Sequence, residues 1–199
     1  MPEPLPAREP LLNVPNLLSL ARVPLAVVLF ACIVRDLWFA ALVVFAVACV
    51  TDWLDGWWAR RYGPLTLVGR NLDPLADKVL VCGAFIYLIP VTAARIDPWM
   101  ATVVVVRELL VTGLRGMVEA AGKKFGADWF GKLKTILQCV WLVAVLVYLT
   151  LREHFPDSGL VAPVEMLHYG LLYAMLAATV LSGLQYIGKA YQLLYAPSR

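Results

Sequence analysis

Six long apolar segments follow one another along this chain of 199 residues, separated by short breaks that carry charges, glycine or proline. Each segment has about 20 residues or more, the length an α-helix needs to cross the hydrocarbon core of a bilayer. The segments lie at about 12–34, 37–59, 70–93, 97–120, 130–151 and 163–188. No internal repeat or linker divides them. We therefore predict one all-α domain over residues 1–199, a polytopic membrane protein built as a bundle of six transmembrane helices, with residues 1–11 as an N-terminal cytoplasmic segment.

The composition agrees with lipid as the main solvent. Hydrophobic residues make up 61% of the chain and charged residues only 16%, whereas soluble domains have about 45–50% and about 25%. The formal net charge of +3 is too small to indicate a nucleic acid partner. We expect membrane lipid, and no nucleic acid, around this protein.

Lysine and arginine are concentrated on one side of the predicted membrane. The richer side holds Arg61, Arg70, Lys123, Lys124, Lys132, Lys189 and Arg199. The connections on the other side hold only Arg35, Arg95 and Arg152. Because positive residues favour the cytoplasmic side, both termini are predicted to be cytoplasmic.

Charges inside the apolar segments occur at one depth. The second segment is uncharged for 15 residues before Asp52, which places Asp52 about 22 Å from the outer end. The third segment runs the other way and places Asp77 about 24 Å from the same side, and Lys134 in the fifth lies at about 26 Å. Since buried charge in a membrane is costly and usually functional, this convergence predicts a polar cavity that opens to the cytoplasm.

Four aspartates form two pairs on neighbouring helices. Asp52 and Asp55 are three residues apart, and Asp73 and Asp77 are four apart, so each pair shares one helix face. Two antiparallel helices would gather the four carboxylates, whose mutual repulsion two divalent cations would cancel. Oxygen-only ligands favour Mg²⁺ or Mn²⁺ over zinc, and a metal pair is suited to displacement at phosphorus. A buried ion-pair network of these carboxylates with Arg60, Arg70 and Lys78 is the structural alternative.

The residues between the aspartate pairs suit a phosphate-bearing ligand. Gly56, Ala59 and Gly69 lack bulk on the faces that carry the aspartates, so a diphosphate can approach the backbone. Arg60 offers a planar set of donors to phosphate oxygens. Helix-packing glycines and an arginine at the membrane interface are the alternatives.

These residues resemble a family signature. The pattern is Asp52-x₂-Asp55-Gly56-x₂-Ala59-Arg60-x₈-Gly69-x₃-Asp73-x₃-Asp77. It resembles the complete signature of the CDP-alcohol phosphotransferase family. The resemblance implies six transmembrane helices, a two-metal site in a cytosol-facing cavity, and a homodimer. It also implies that Asp52, Asp55 and Asp73 are metal ligands and that Asp77 is the catalytic base and also touches a metal.

Longer segments resemble the bacterial members that make phosphatidylglycerophosphate. They are 13–25, 51–61, 72–81, 105–115 and 131–135. This resemblance implies that CDP-diacylglycerol donates its phosphatidyl group to the 1-hydroxyl of sn-glycerol 3-phosphate and that CMP leaves. It also implies a location in the bacterial inner (cytoplasmic) membrane, with the active site facing the cytoplasm.

A phosphorylated acceptor needs a basic pocket of its own. The candidates are Arg107, Arg115, Lys132 and Lys134, which could instead serve only the positive-inside bias. The family resemblance favours Arg107 and the 131–135 segment. Arg22, with Asn16, is a candidate contact for the nucleotide or for the surroundings of the metal site.

Other functions remain as alternatives. Within the family the acceptor could be inositol phosphate, serine or a second phosphatidylglycerol; the basic residues disfavour serine but not inositol phosphate. A cation transporter would use the carboxylates as an ion site, although it would leave Gly56, Arg60 and Gly69 unexplained. His154 and His168 fall on the side away from the aspartates and are predicted to be surface or interface residues.

Overall fold

The computed structural model describes residues 14–62, 67–123 and 129–195. Within them, side chains are described except at 14–19, 55–56, 58–60, 62, 67–75, 77 and 195. The described backbone forms six α-helices and one 3₁₀ turn: α1 (Val14–Val34), α2 (Trp38–Tyr62), α3 (Leu67–Leu88), the turn Thr92–Ala94, α4 (Pro98–Ala120), α5 (Trp129–His154) and α6 (Val161–Tyr195).

Two helix ends differ from the predicted segments by several residues. Helix α3 stops at Leu88 rather than near 93, because Pro90 has no amide hydrogen to donate and disfavours helical backbone at the residue before it. Helix α6 continues to Tyr195 rather than ending near 188, since no proline interrupts the sequence before Pro197. The N-terminal segment 1–11 lies outside the described residues.

The helices pack as a bundle around an apolar interior. Helix α1 lies against both α2 and α3, α5 lies against α6 and α2, and α4 lies against α6 and α3. At the centre, the rings of Phe85 and Trp141 stack with their centroids 4.5 Å apart. Helices α1 and α3 approach closely at Gly83, where an added Cβ would lie 2.1 Å from Cζ of Phe30.

The outward surface of the bundle is also apolar. Large hydrophobic side chains such as Leu109, Met166 and Leu184 are more than half exposed, and a surface of this kind needs lipid or a partner against it. Helices α5 and α6 are long and apolar enough to cross a membrane by themselves. Every one of the six described α-helices has at least 21 residues, or about 30 Å of length. The prediction of an all-α membrane fold with six helices is confirmed.

The prediction for one histidine is wrong. His154 is exposed, but the His168 side chain is fully buried. Its ring stacks on Tyr148 of α5 at 4.7 Å, and its Nδ1 lies 2.8 Å from the carbonyl oxygen of Glu165. His168 is therefore on the face of α6 that packs on α5, a tertiary contact that its place in the sequence did not indicate.

Candidate active site

The four aspartates lie at one end of the bundle. Asp52 and Asp55 are in the last part of α2, and Asp73 and Asp77 are in the first part of α3. Helix α1 packs along both of these helices. Among the described side chains no group of three or more metal-ligating residues occurs, but those of Asp55, Asp73 and Asp77 lie outside the described residues. The predicted donor-binding side chains at positions 56, 59, 60 and 69 also lie outside them.

Asp52 is the aspartate whose side chain is described, and it pairs with Arg22 of α1. Arg22 Nη1 lies 2.9 Å from Asp52 Oδ1. The arginine side chain is only 1% exposed, whereas the aspartate side chain is half exposed. A buried guanidinium needs a counter-charge, and the Asp52 carboxylate provides it. The contact restricts the position of the Asp52 side chain. Because a carboxylate accepts several partners at once, the pair is compatible with metal ligation by Asp52, and an all-oxygen donor set fits Mg²⁺ or Mn²⁺.

A second charged cluster is buried where α4, α5 and α6 meet. Its centre is Glu108, whose Oε1 accepts a hydrogen bond from Lys134 Nζ and lies 3.1 Å from Arg107 Nη1. Arg107 Nη2 donates to Ser182 Oγ at 3.0 Å, and the guanidinium lies over the Tyr186 ring at 5.4 Å. All three charged side chains are at most 10% exposed. The cluster therefore holds two cations and one anion in fixed positions.

This cluster keeps donors that its internal contacts do not use. Arg107 Nε is buried and has no hydrogen-bond partner among the described residues. A lysine ammonium has three donors and an arginine five, so Lys134 and Arg107 can each bind Glu108 and a further anion. With two positive charges against one negative charge, the cluster has the sign that a phosphate group requires.

A hydrogen-bonded chain joins the second cluster to the aspartate helix. Lys78, which follows Asp77 in α3, donates from Nζ to Thr112 Oγ1 of α4. The Thr112 hydroxyl donates in turn to the backbone carbonyl of Glu108 at 2.7 Å. The helix turn that carries Asp77 is thus linked to the turn that carries Glu108 and Arg107.

The structure separates the four predicted acceptor residues into two groups. Arg107 and Lys134 come together on Glu108. Arg115 and Lys132 are exposed and form no ion pair with Glu108. Their part in acceptor binding stays a prediction.

Sequence reasoning missed Glu108. A carboxylate within the apolar α4 segment, directly beside Arg107, was the available signal, because an ionisable residue at membrane depth normally has a partner. The sequence could not show that this partner includes Lys134, which is 26 residues away. Arg22, which the sequence offers as a contact for the nucleotide or for the surroundings of the metal site, lies against Asp52, and its role stays a prediction.

Comparison with known proteins identifies the family. The sequence model of the CDP-alcohol phosphatidyltransferase family matches residues 12–183. This chain belongs to the CDP-alcohol phosphatidyltransferase family. The family resemblance that the aspartate signature predicted is confirmed, and the chain is a transferase of this family.

Two relatives illustrate its place among CDP-alcohol phosphatidyltransferases. The chain is 32% identical to the CDP-diacylglycerol–glycerol-3-phosphate 3-phosphatidyltransferase of Bacillus subtilis, over 92% of this chain and 97% of the relative. It is 36% identical to the protein of the same name from Escherichia coli K12, over 89% of this chain and 94% of the relative.

A solved structure of similar fold is Mycobacterium tuberculosis phosphatidylinositol phosphate synthase with CDP-DAG bound. The TM-score is 0.65, with 94% of this chain and 91% of that chain covered. At 17% sequence identity the similarity concerns the fold alone.

Proposed function

We propose that this protein transfers the phosphatidyl group of CDP-diacylglycerol to sn-glycerol 3-phosphate, giving phosphatidylglycerophosphate and CMP in phospholipid biosynthesis. The names of relatives that match nearly the whole chain support the donor and the acceptor. The observation that carries the proposal is the buried Arg107–Glu108–Lys134 cluster, which is linked to the aspartate helix and retains donors for a phosphate. A phosphorylated alcohol is the acceptor that needs this second basic pocket.

The four aspartates are proposed to hold two divalent cations, Mg²⁺ or Mn²⁺. When bound, such a metal pair stabilises charge on the attacking and the leaving oxygen at phosphorus. Asp52, Asp55 and Asp73 are ligands in this proposal, and Arg22 keeps Asp52 in place through their 2.9 Å contact.

Asp77 is proposed to be both a ligand and the catalytic base. Its carboxylate takes the proton from the 1-hydroxyl of glycerol 3-phosphate. The hydroxyl oxygen then forms a bond to the phosphatidyl phosphorus as the bond from phosphorus to CMP breaks. The hydrogen bonds from Lys78 to Thr112 and from Thr112 to the Glu108 carbonyl, which join α3 to the Arg107–Glu108–Lys134 cluster, support this proposal.

The two substrates are proposed to occupy separate parts of the cavity. Gly56, Ala59, Gly69 and Arg60 accommodate the diphosphate of the CDP donor. Arg107 and Lys134 bind the acceptor phosphate, with Glu108 holding both cations in place.

Arg115 and Lys132 are proposed to complete the acceptor site at its exposed edge. Both are exposed in the described structure. A lysine or arginine in that position attracts a dianionic substrate before it reaches the buried cations.

In the cell we propose a multi-pass protein of the bacterial inner (cytoplasmic) membrane, acting as a homodimer, with the active site and both termini facing the cytoplasm. The lengths of the six helices and the concentration of lysine and arginine at the aspartate end support this topology. The family resemblance supports the homodimer.

Transfer of label tests the reaction. Purified protein is incubated with CDP-diacylglycerol, Mg²⁺ and radiolabelled glycerol 3-phosphate, and in parallel with radiolabelled inositol phosphate. We expect labelled lipid from glycerol 3-phosphate. At glycerol 3-phosphate concentrations below KM, its amount should fall roughly 10- to 100-fold in Arg107→Ala but not in the control Arg35→Ala, which changes an exposed residue at the other end of the bundle. Label transferred from inositol phosphate instead would refute glycerol 3-phosphate as the acceptor, and no transfer to either alcohol would refute the proposed reaction.

A further inference from the structure

A cavity of about 630 Å³ lies at the end of the bundle opposite Asp52. Its walls come from the α1–α2 turn, the α3–α4 connection, the end of α5 and the start of α6. Along α2, Trp38 at this cavity is 14 residues before Asp52, which corresponds to about 21 Å. This distance separates the cavity from the proposed active site. Its volume is within the range of small-ligand sites, so the cavity is large enough for a ligand of its own.

Two residues with left-handed backbone line this cavity. Asp36 has φ 56° and Arg95 has φ 49°, and they are the positive-φ residues other than glycine in the described part of the chain. Aspartate tolerates this region, but for arginine it is uncommon and costs energy. Glycine is the usual residue in such a position. Strained backbone of this kind concentrates at functional sites, and here it places charged side chains at the cavity.

The charged side chains of the cavity differ in how they are paired. Arg95 lies over the Tyr169 ring at 4.7 Å and 3.7 Å from Glu165 Oε1, so these three residues support one another. Asp36 and Arg152 also line the cavity, but neither has an ion pair or side-chain hydrogen bond with any described residue. The cavity therefore presents an exposed carboxylate and an exposed guanidinium that form no ion pair with the described residues.

We propose that this cavity binds a zwitterionic aminophosphate headgroup of the phosphoethanolamine class. The phosphate contacts Arg152, which can offer two parallel donors, and the ammonium contacts Asp36 and Glu153. Beyond the paired Arg95 and Glu165, a purely anionic ligand would meet the carboxylates of Asp36 and Glu153, and a purely cationic one would meet the guanidinium of Arg152. Only a ligand that carries both charges matches both sets.

A membrane phospholipid is the favoured source of this headgroup. Trp38 and Leu149 give the cavity an apolar portion. At the same end of the bundle, Phe39 and Trp99 are more than half exposed, and an exposed tryptophan is typical of a membrane interface. The acyl chains of a bound lipid can lie against this apolar outer surface while its headgroup occupies the cavity.

Binding of short-chain lipids to the purified full-length protein tests the proposal. Phosphatidylethanolamine, phosphatidylglycerol with the same acyl chains, and free phosphoethanolamine are each titrated after delipidation in detergent. We expect one phosphatidylethanolamine per chain, bound about tenfold more tightly than phosphatidylglycerol, since the ammonium adds charged hydrogen bonds. Equal affinities for the two lipids in the unaltered protein would overturn the proposal without any variant.

Two variants locate the site. Asp36→Asn keeps the size of the side chain and its tolerance of left-handed backbone, and should remove the preference for phosphatidylethanolamine. Arg152→Gln should weaken phosphatidylethanolamine binding about tenfold. Asp157→Asn, an exposed carboxylate at the same end that does not line the cavity, is the matched control and should change neither affinity.

The other possible results of these titrations also support or refute the proposed site. Unaltered phosphatidylethanolamine affinity in both cavity variants would place the lipid elsewhere and refute the site. Free phosphoethanolamine that binds as tightly as the lipid, with the same loss in Asp36→Asn, would support the headgroup chemistry and assign the source to a soluble compound. Phosphatidyl transfer at the unaltered rate in the variants shows that they are folded.

Discussion

Replacing Glu108 with glutamine is the perturbation for which the structure gives the clearest expectation. The change keeps the shape of the side chain and removes the negative charge shared by Arg107 and Lys134, whose side chains are 10% and 4% exposed. Removing one partner from a buried ion pair costs about 3–5 kcal/mol, because the opposite charge is left uncompensated. For a chain of this size that corresponds to a fall in Tm of roughly 6–20 °C.

Thermal unfolding of the detergent-solubilised protein measures this effect. Glu119→Gln is the control, since Glu119 is on the same helix but exposed, and it should change the free energy of unfolding by less than about 0.5 kcal/mol. A Tm for Glu108→Gln within about 2 °C of the unaltered protein would refute the description of Glu108 as the counter-ion of two buried cations.

Glycerol 3-phosphate then tests whether the same cations bind the acceptor. A ligand that binds the folded protein stabilises it, and tighter binding gives more stabilisation. In Glu108→Gln, the phosphate of the ligand supplies the missing negative charge. Saturating glycerol 3-phosphate should therefore raise Tm more in Glu108→Gln than in the unaltered protein. Equal increases in the two proteins would show that the acceptor phosphate does not contact Arg107 and Lys134.

Three further substitutions have defined outcomes. Arg107→Ala removes charged hydrogen bonds to the acceptor phosphate and should raise the KM for glycerol 3-phosphate roughly 10- to 100-fold. Steady-state kinetics measure this effect. An equal rise in the KM for CDP-diacylglycerol would argue against a dedicated acceptor pocket. Asp77→Asn should lower kcat at least about 100-fold while CDP-diacylglycerol binding remains measurable, and retained turnover would exclude Asp77 as the base. Gly83→Ala places a Cβ against the Phe30 ring and should cost about 1–3 kcal/mol in thermal unfolding. Gly188→Ala, with no atom within 4 Å of the new Cβ, should cost nothing, and equal Tm values for the two glycine variants would contradict the close α1–α3 contact.

The helices could be predicted from the sequence because each depends on local properties. Apolar length indicated six helices, and the described bounds agree with the predicted segments except where Pro90 ends α3 early and where α6 runs on to Tyr195. The aspartate spacing could likewise be recognised within two short helical stretches, since it is a local pattern.

Tertiary contacts could not be predicted in the same way. Glu108 joins Lys134 across 26 residues, and Arg22 joins Asp52 across two helices. The buried position of His168 depends on α6 packing against α5. The cavity at the opposite end combines side chains from four separate segments, and the left-handed backbone of Arg95 has no sequence signal, because glycine is the residue expected there.

Helices α2 and α3 are proposed to bring four aspartates together to hold a pair of cations. Electron paramagnetic resonance of the purified protein titrated with Mn²⁺ tests it directly, because two ions about 3.5–4 Å apart give a magnetically coupled spectrum. We predict two coupled Mn²⁺ ions per chain, and loss of the coupled signal in Asp73→Asn with retention in the control Asp97→Asn. One Mn²⁺ per chain, or two without coupling, would contradict the metal pair and with it the proposed mechanism.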